Sequence, residues 1–182
     1  MLAVATMIGL GVWQLQRAGW KEGLMVQLAA NRGLPAIAYP AGTQGAQDVL
    51  FRQATAVCAR PTAIRANAGR DVGGTSGWSH LATCPAGANG ADMIVDIGWS
   101  PALKQVAWAG GPVTGVVVPD SKAGIRLVAS NPAPGLAASQ PPGPETIPNN
   151  HRMYALQWFF FAAAAAAIYG LALRRRGHKT TA

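Results

Sequence analysis

YALQWFFFAAAAAAIYGLAL, from Tyr154 to Leu173, is the stretch that decides the fold. It carries no charge and a single strongly polar side chain, Gln157. As a helix, twenty residues rise about 30 Å, the thickness of a bilayer's hydrocarbon core. The alanine run is only weakly apolar but forms helix readily. Trp158 near one end and Tyr169 near the other are placed as interfacial anchors. Arg174, Arg175, Arg176 and Lys179 follow immediately, as the basic cytoplasmic flank of a span. A buried soluble helix would leave that cluster without a reason.

Working outward, the chain opens on a second apolar run, Met1 to Leu15, which as a helix covers about 22 Å. It lacks the basic segment of a secretory signal peptide. It reads as a short signal anchor or as a longer helix whose beginning lies outside this sequence, and we adopt the second reading. Charge bias is in conflict here. Arg17 and Lys21 after the first run favour a cytoplasmic central region, whereas Arg152 against the C-terminal cluster favours a cytoplasmic tail. The second asymmetry is larger, and long loops translocate largely regardless of charge. The expected topology therefore has both termini cytoplasmic and the middle of the chain outside.

The middle reads as β structure. Short runs rich in β-branched or aromatic residues, or bounded by Gly and Pro, predict strands at Leu50–Ala59, Trp78–Thr83, Met93–Trp99, Val113–Val118 and Ile125–Ser130. Ala66 to Gly77 reads as a long flexible connection. Residues 131–150, with Pro141, Pro142, Pro144 and Pro148, read as an extended linker returning to the membrane. The predicted organisation is a first transmembrane helix (1–20), an extracytoplasmic antiparallel β-rich domain (21–130), the linker (131–150), a second transmembrane helix (151–173) and a basic tail (174–182). The fold class is membrane α+β.

Only 12% of the 182 residues are charged, although the formal net charge is +8. An ordinary soluble domain is nearer a quarter charged. The basic excess sits partly beside the apolar run and lacks interleaved aromatics, so it points to the lipid bilayer and not to nucleic acid. Cys58 and Cys84 have no metal-ligand spacing. They are either a disulfide, which an exported domain permits, or two separate buried thiols. No nucleophile elbow, phosphate loop or dinucleotide fingerprint is present. Ser76, Ser79 and His80 are close in sequence, which does not make a triad. His80 is expected on a strand, solvated or hydrogen-bonded. The chain does not read as an enzyme.

Two clusters at the membrane borders carry more information. In GVWQLQRAGWKE (Gly11–Glu22), Trp13, Arg17, Trp20 and Lys21 fall at offsets of four, seven and eight on one helical face. Taken alone they form an interfacial belt, with the cations reaching outward. In NNHRMYALQWF (Asn149–Phe159), His151, Tyr154, Ala155 and Trp158 share a face, and Asn149 or Asn150 is placed to cap. His151 is either an interfacial histidine hydrogen-bonded to the linker or an imidazole available to iron.

Together these clusters resemble the surfeit locus protein 1 (Shy1-type) family of cytochrome c oxidase assembly factors. The family's Gly-x-Trp-Gln-x-x-Arg-x-x-Trp-Lys run is matched by Gly11, Trp13, Gln14, Arg17, Trp20 and Lys21. Its Asn-Asn-His-x-x-Tyr-Ala-x-x-Trp-Phe run is matched by Asn149, Asn150, His151, Tyr154, Ala155, Trp158 and Phe159. A weaker match in the middle is VDIGWSP, where Val95, Gly98, Trp99 and Pro101 fit and Asp96–Ile97 replace the usual Asn-Arg.

The resemblance implies an inner-membrane protein with two spans that acts on haem–copper oxidase subunit I. It also implies haem a as cofactor, with His151 as the iron ligand. On that reading Arg17, Lys21 or Arg152 would pair with propionates, and Trp13, Tyr154 and Trp158 would contact the macrocycle. Haem a synthesis enzymes become possible partners. The alternative is a cofactor-free scaffold holding a subunit I assembly intermediate. The Ala- and Gly-rich composition and the lack of a transit peptide favour a bacterial inner membrane.

Overall fold

The computed structural model describes residues 2–40, 45–85 and 92–179. The chain divides into two units: Met1–Val26 with Ile147–Ala182, and Gln27–Thr146.

The first unit is a pair of long helices. Helix α1, Leu2–Ala30, runs without proline through both the apolar run and the polar segment that follows it. A 3-10 turn at Asn31–Gly33 ends it, and Leu34 is already extended before Pro35. Helix α2, His151–Lys179, begins where the Tyr154 amide donates to the Asn150 carbonyl and continues past Leu173 through Arg174 and Arg175. The basic segment expected as a separate tail thus begins as a continuation of the helix. Among the described residues one helix, over His151–Arg175, is long and apolar enough to cross a bilayer. Its large side chains face outward: Phe160 is 67% exposed, and Phe161, Ile168 and Leu171 are exposed too.

Small residues make the helix pair. Gly11, Ala18, Ala155 and Ala162 are buried, and a Cβ on Gly11 would meet the Phe159 ring at 2.6 Å. Small side chains let the two backbones approach closely, and the contact is then one of dispersion. Glycine at position 11 permits that approach.

The second unit is a seven-stranded sheet in the order β1-β2-β6-β7-β5-β4-β3. The strands are β1 Ile37–Ala38, β2 Gln53–Cys58, β3 Ala63–Arg70, β4 Ser76–Cys84, β5 Met93–Ser100, β6 Gly111–Asp120 and β7 Gly124–Ala129. β1–β2 and β5–β7 run parallel, so the sheet is mixed where an antiparallel one was expected. The parallel β5–β7 pairing arises at β7, which returns from β6 by a tight turn and inserts beside β5. Asp120 sets that turn by accepting from the Lys122 and Ala123 amides.

Strand β3 overturns the reading of residues 66–77 as a flexible connection. It pairs with β4 from Ala63↔Thr83 to Arg70↔Ser76, leaving a turn at Asp71–Gly74. Its sequence, AIRANAGR, has little β propensity, and pairing with β4 overrides that. The first part of the expected linker is likewise tied to the sheet. Beyond β7, the Ala133 amide donates to Ile97, Ala137 bridges Trp99 and Ser139 bridges Asp71.

The sheet must be strongly curled. β2 and β4 are separated by β6, β7 and β5, which in a flat sheet would set them roughly 19 Å apart. Yet Cys58 and Cys84, at the ends of those strands, are disulfide-bonded with a Cα–Cα distance of 5.4 Å. The core inside the curl contains Ala54, Cys58, Ala82, Cys84, Val95, Ile97, Val117 and Leu127.

Candidate functional site

The two border clusters meet at one end of the helix pair. His151 Nδ1 lies 2.7 Å from Gln14 Oε1. An amide oxygen only accepts, so His151 donates from Nδ1. Asn149 Nδ2 donates to the Ala18 carbonyl at 3.4 Å, and Lys21 Nζ donates to the Pro148 carbonyl. Arg152 pairs with Glu22 at 2.9 Å. The described residues supply no hydrogen-bond partner to His151 Nε2, and the side chain is half-buried. His151 is therefore hydrogen-bonded to the first helix, not to the linker. Its one free ring nitrogen is the lone-pair nitrogen, which is the chemistry an iron ligand needs.

The remaining candidates divide between two faces. Gly11, Gln14, Ala18 and Lys21, at offsets of three, seven and ten, form the face of α1 turned to α2. Trp13 (53% exposed) and Trp20 point away from it. The Arg17 guanidinium lies over the Trp20 ring, 4.3 Å from its centroid, as a cation–π pair. Lys21 thus turns toward α2 and leaves the Trp13–Arg17–Trp20 face with which its spacing grouped it. On α2, Tyr154 is 50% exposed, and Trp158 is half-buried with its ring edge-on to Phe161. Sequence reasoning quoted Gln14 and Glu22 without giving either a role. The signal for Gln14 was its spacing, three from Gly11 and four from Ala18, which puts it on the small-residue face where Gln16 does not fall.

The sheet unit holds a second polar constellation. His80 is 1% exposed and hydrogen-bonded through Nε2 to Ser100 Oγ at 2.8 Å, so it is buried where a solvated side chain was one of the two expectations. Burial, then the Lys104 charge, lowers its pKa. The β4–β5 register shifts between Ser79 and Leu81. Across that irregularity the buried Asp96 carboxylate accepts from the Gly98 amide at 3.2 Å and from Ser139 Oγ at 2.6 Å. Burial raises the Asp96 pKa despite those donors and the Arg126 charge. Gly98 has φ 135°, and a Cβ there would press on the Ala137 carbonyl at 2.8 Å. These contacts explain the VDIGWSP stretch as architecture. An amide or carboxylate oxygen at position 96 satisfies the bulge, glycine is required at 98, and Ile97 packs in the core.

An open groove of about 1090 Å³ borders His80, between residues 61–66 and 103–109. Its ionisable lining groups are His80 and Lys104, and His80 has already spent Nε2 on Ser100. Among the described residues no group of three or more His, Cys, Asp and Glu side chains is arranged to hold a metal ion.

With the two motifs joined through Gln14 and His151, comparison with known families gives a direct result: the model of the SURF1 family matches residues 1–163. The chain belongs to the SURF1 family. That family is associated with cytochrome oxidase assembly, and its members are assembly factors rather than known enzymes. Membrane association of this SURF1 chain is supported by the apolar helix over His151–Arg175. No curated protein matches it.

Proposed function

We propose that this chain is an inner-membrane assembly factor for cytochrome c oxidase that binds haem a and hands it to, or stabilises it in, oxidase subunit I. In this reading α1 and α2 both span the membrane, and the curled sheet lies on its outer side. Family membership supports the assembly role. The observation that carries the haem reading is the state of His151: Nδ1 held by Gln14, Nε2 without a partner, at the border end of an apolar helix.

Haem a would supply an iron centre seeking an imidazole nitrogen, with an apolar tail and acidic propionates. His151 would hold the iron through Nε2. Close packing of Gly11 on Phe159 fills the seam between the helices, so Tyr154 and Trp158, which share a face with His151, would be the aromatic contacts of the group. Propionates need charge-assisted partners. Arg17, Lys21 and Arg152 are the candidates, and each would first have to leave its present partner, Trp20, Pro148 and Glu22 respectively.

The second reading is a cofactor-free scaffold, favoured by the exposed aromatic face of Trp13 and Trp20, which could pack on subunit I helices. The two are separated by purifying the full chain from cells that also make haem a and recording its spectrum and the oxidase content. A haem carrier shows a Soret band, and His151→Ala abolishes both the band and oxidase maturation. A band-free protein that still supports maturation is a scaffold.

A further inference from the structure

We propose that Gln14 is a positioning residue that holds His151 as the Nδ1–H tautomer and so presents Nε2 as its metal-binding nitrogen. This rests on the haem reading above.

The two neutral tautomers of an imidazole are close in energy, so a metal-binding histidine is set by whatever its other nitrogen contacts. Here that contact is the Gln14 amide oxygen at 2.7 Å. Gln14 is not free to drift. It lies one helical turn from Gly11 on one side and from Ala18 on the other, both buried against α2. The axial register of the pair is fixed by Gly11 under the Phe159 ring and by Asn149 Nδ2 on the Ala18 carbonyl. Lys21 on Pro148 and Arg152 on Glu22 hold the same end. His151 is the first residue of α2, where helical hydrogen bonding alone fixes a side chain poorly. The contact to Gln14 supplies the missing constraint and, by accepting from Nδ1–H, would make Nε2 a stronger donor to iron.

The test uses the full chain in detergent micelles with 15N-labelled histidine, at a pH where imidazole is neutral, followed by titration with haem a. The parent should show His151 with a protonated Nδ1 and an unprotonated Nε2. Gln14→Ala should mix the tautomers and weaken haem a binding about 10–100-fold, with a Soret band still reached at saturation. Gln14→Glu keeps an acceptor in place, so it should retain the tautomer and lower the haem midpoint potential relative to the parent. A parent with the proton on Nε2 overturns the inference. So does a Gln14→Ala protein with unchanged tautomer and affinity, and that result would leave the haem reading standing. A parent with the Nδ1–H ring that takes up no haem a overturns the haem reading and, with it, the metal-presenting role of Gln14.

Discussion

The helix pair and the curled sheet bury opposite kinds of residue. In the helix pair the inside is Gly11, Ala18, Ala155 and Ala162, while Phe160, Phe161, Ile168 and Leu171 face out. In the sheet the inside is Val95, Ile97, Val117 and Leu127. One unit buries small residues and turns its large apolar side chains outward, and the other buries its large apolar side chains, so the same apolar letters have opposite meanings in the two places. In the sheet, His80 hydrogen-bonds to Ser100, and Ser79 and Asp96 to Ser139, while among the described residues Arg65 Nε, Trp99 Nε1 and Arg126 Nε are buried without a partner. In the helix pair the described residues give His151 Nε2 no partner, and Asn149 Oδ1 is buried without one.

The disulfide should show the largest effect. Replacing Cys58 and Cys84 together by serine should cost the sheet unit about 2–5 kcal/mol, read by denaturant unfolding of the full chain in detergent. The helix pair should keep its Gln14–His151 hydrogen bond in that variant. If the bond is lost with the disulfide, the helix pair depends on the folded sheet.

Overpacking the helix seam comes next. Gly11→Leu drives a side chain into the Phe159 ring and should destabilise the pair by about 1–3 kcal/mol. Spin labels on α1 and α2 should report a wider separation, while the unfolding midpoint of the sheet stays put.

A smaller effect is expected from Asp96→Asn, and its sign follows from linkage. Asp96 has a raised pKa in the folded state. Below the ordinary carboxyl value of about 3.9 it is neutral both folded and unfolded and has no effect. As pH rises from there toward the folded value, only the unfolded chain ionises, and stability is lost at up to about 1.36 kcal/mol per pH unit. Asparagine keeps an oxygen for Ser139 and the Gly98 amide but cannot ionise. The variant should therefore be more stable than the parent at neutral pH, with a flatter profile, as measured by thermal unfolding across pH.

The smallest effect belongs to the Arg152–Glu22 pair, which is exposed. Arg152→Ala should change stability by no more than about 1 kcal/mol, and less in high salt.

The sequence carried the helices better than the sheet's shape. The apolar helix at Tyr154–Leu173 was legible because length, apolarity and basic flank agree, and strands such as Met93–Trp99 announced themselves through β-branched runs. Strand β3 was hidden because Ala, Asn and Gly carry no strand signal of their own, and it exists through its partner. The parallel β5–β7 pairing depends on where a returning strand inserts, which local sequence does not encode. At the site, His151 stood out as a chemical group. Gln14 did not, because its partner lies 137 residues away.

The most direct test sets the two regions against each other through their histidines. The full chain, His151→Ala and His80→Gln would each be purified from cells making haem a, and haem a per chain measured from the absorption spectrum. The expected result is loss of haem a in His151→Ala and parent-like loading in His80→Gln. Loss in His80→Gln with parent-like loading in His151→Ala would move the haem site to the sheet groove and contradict the assignment to the helix pair.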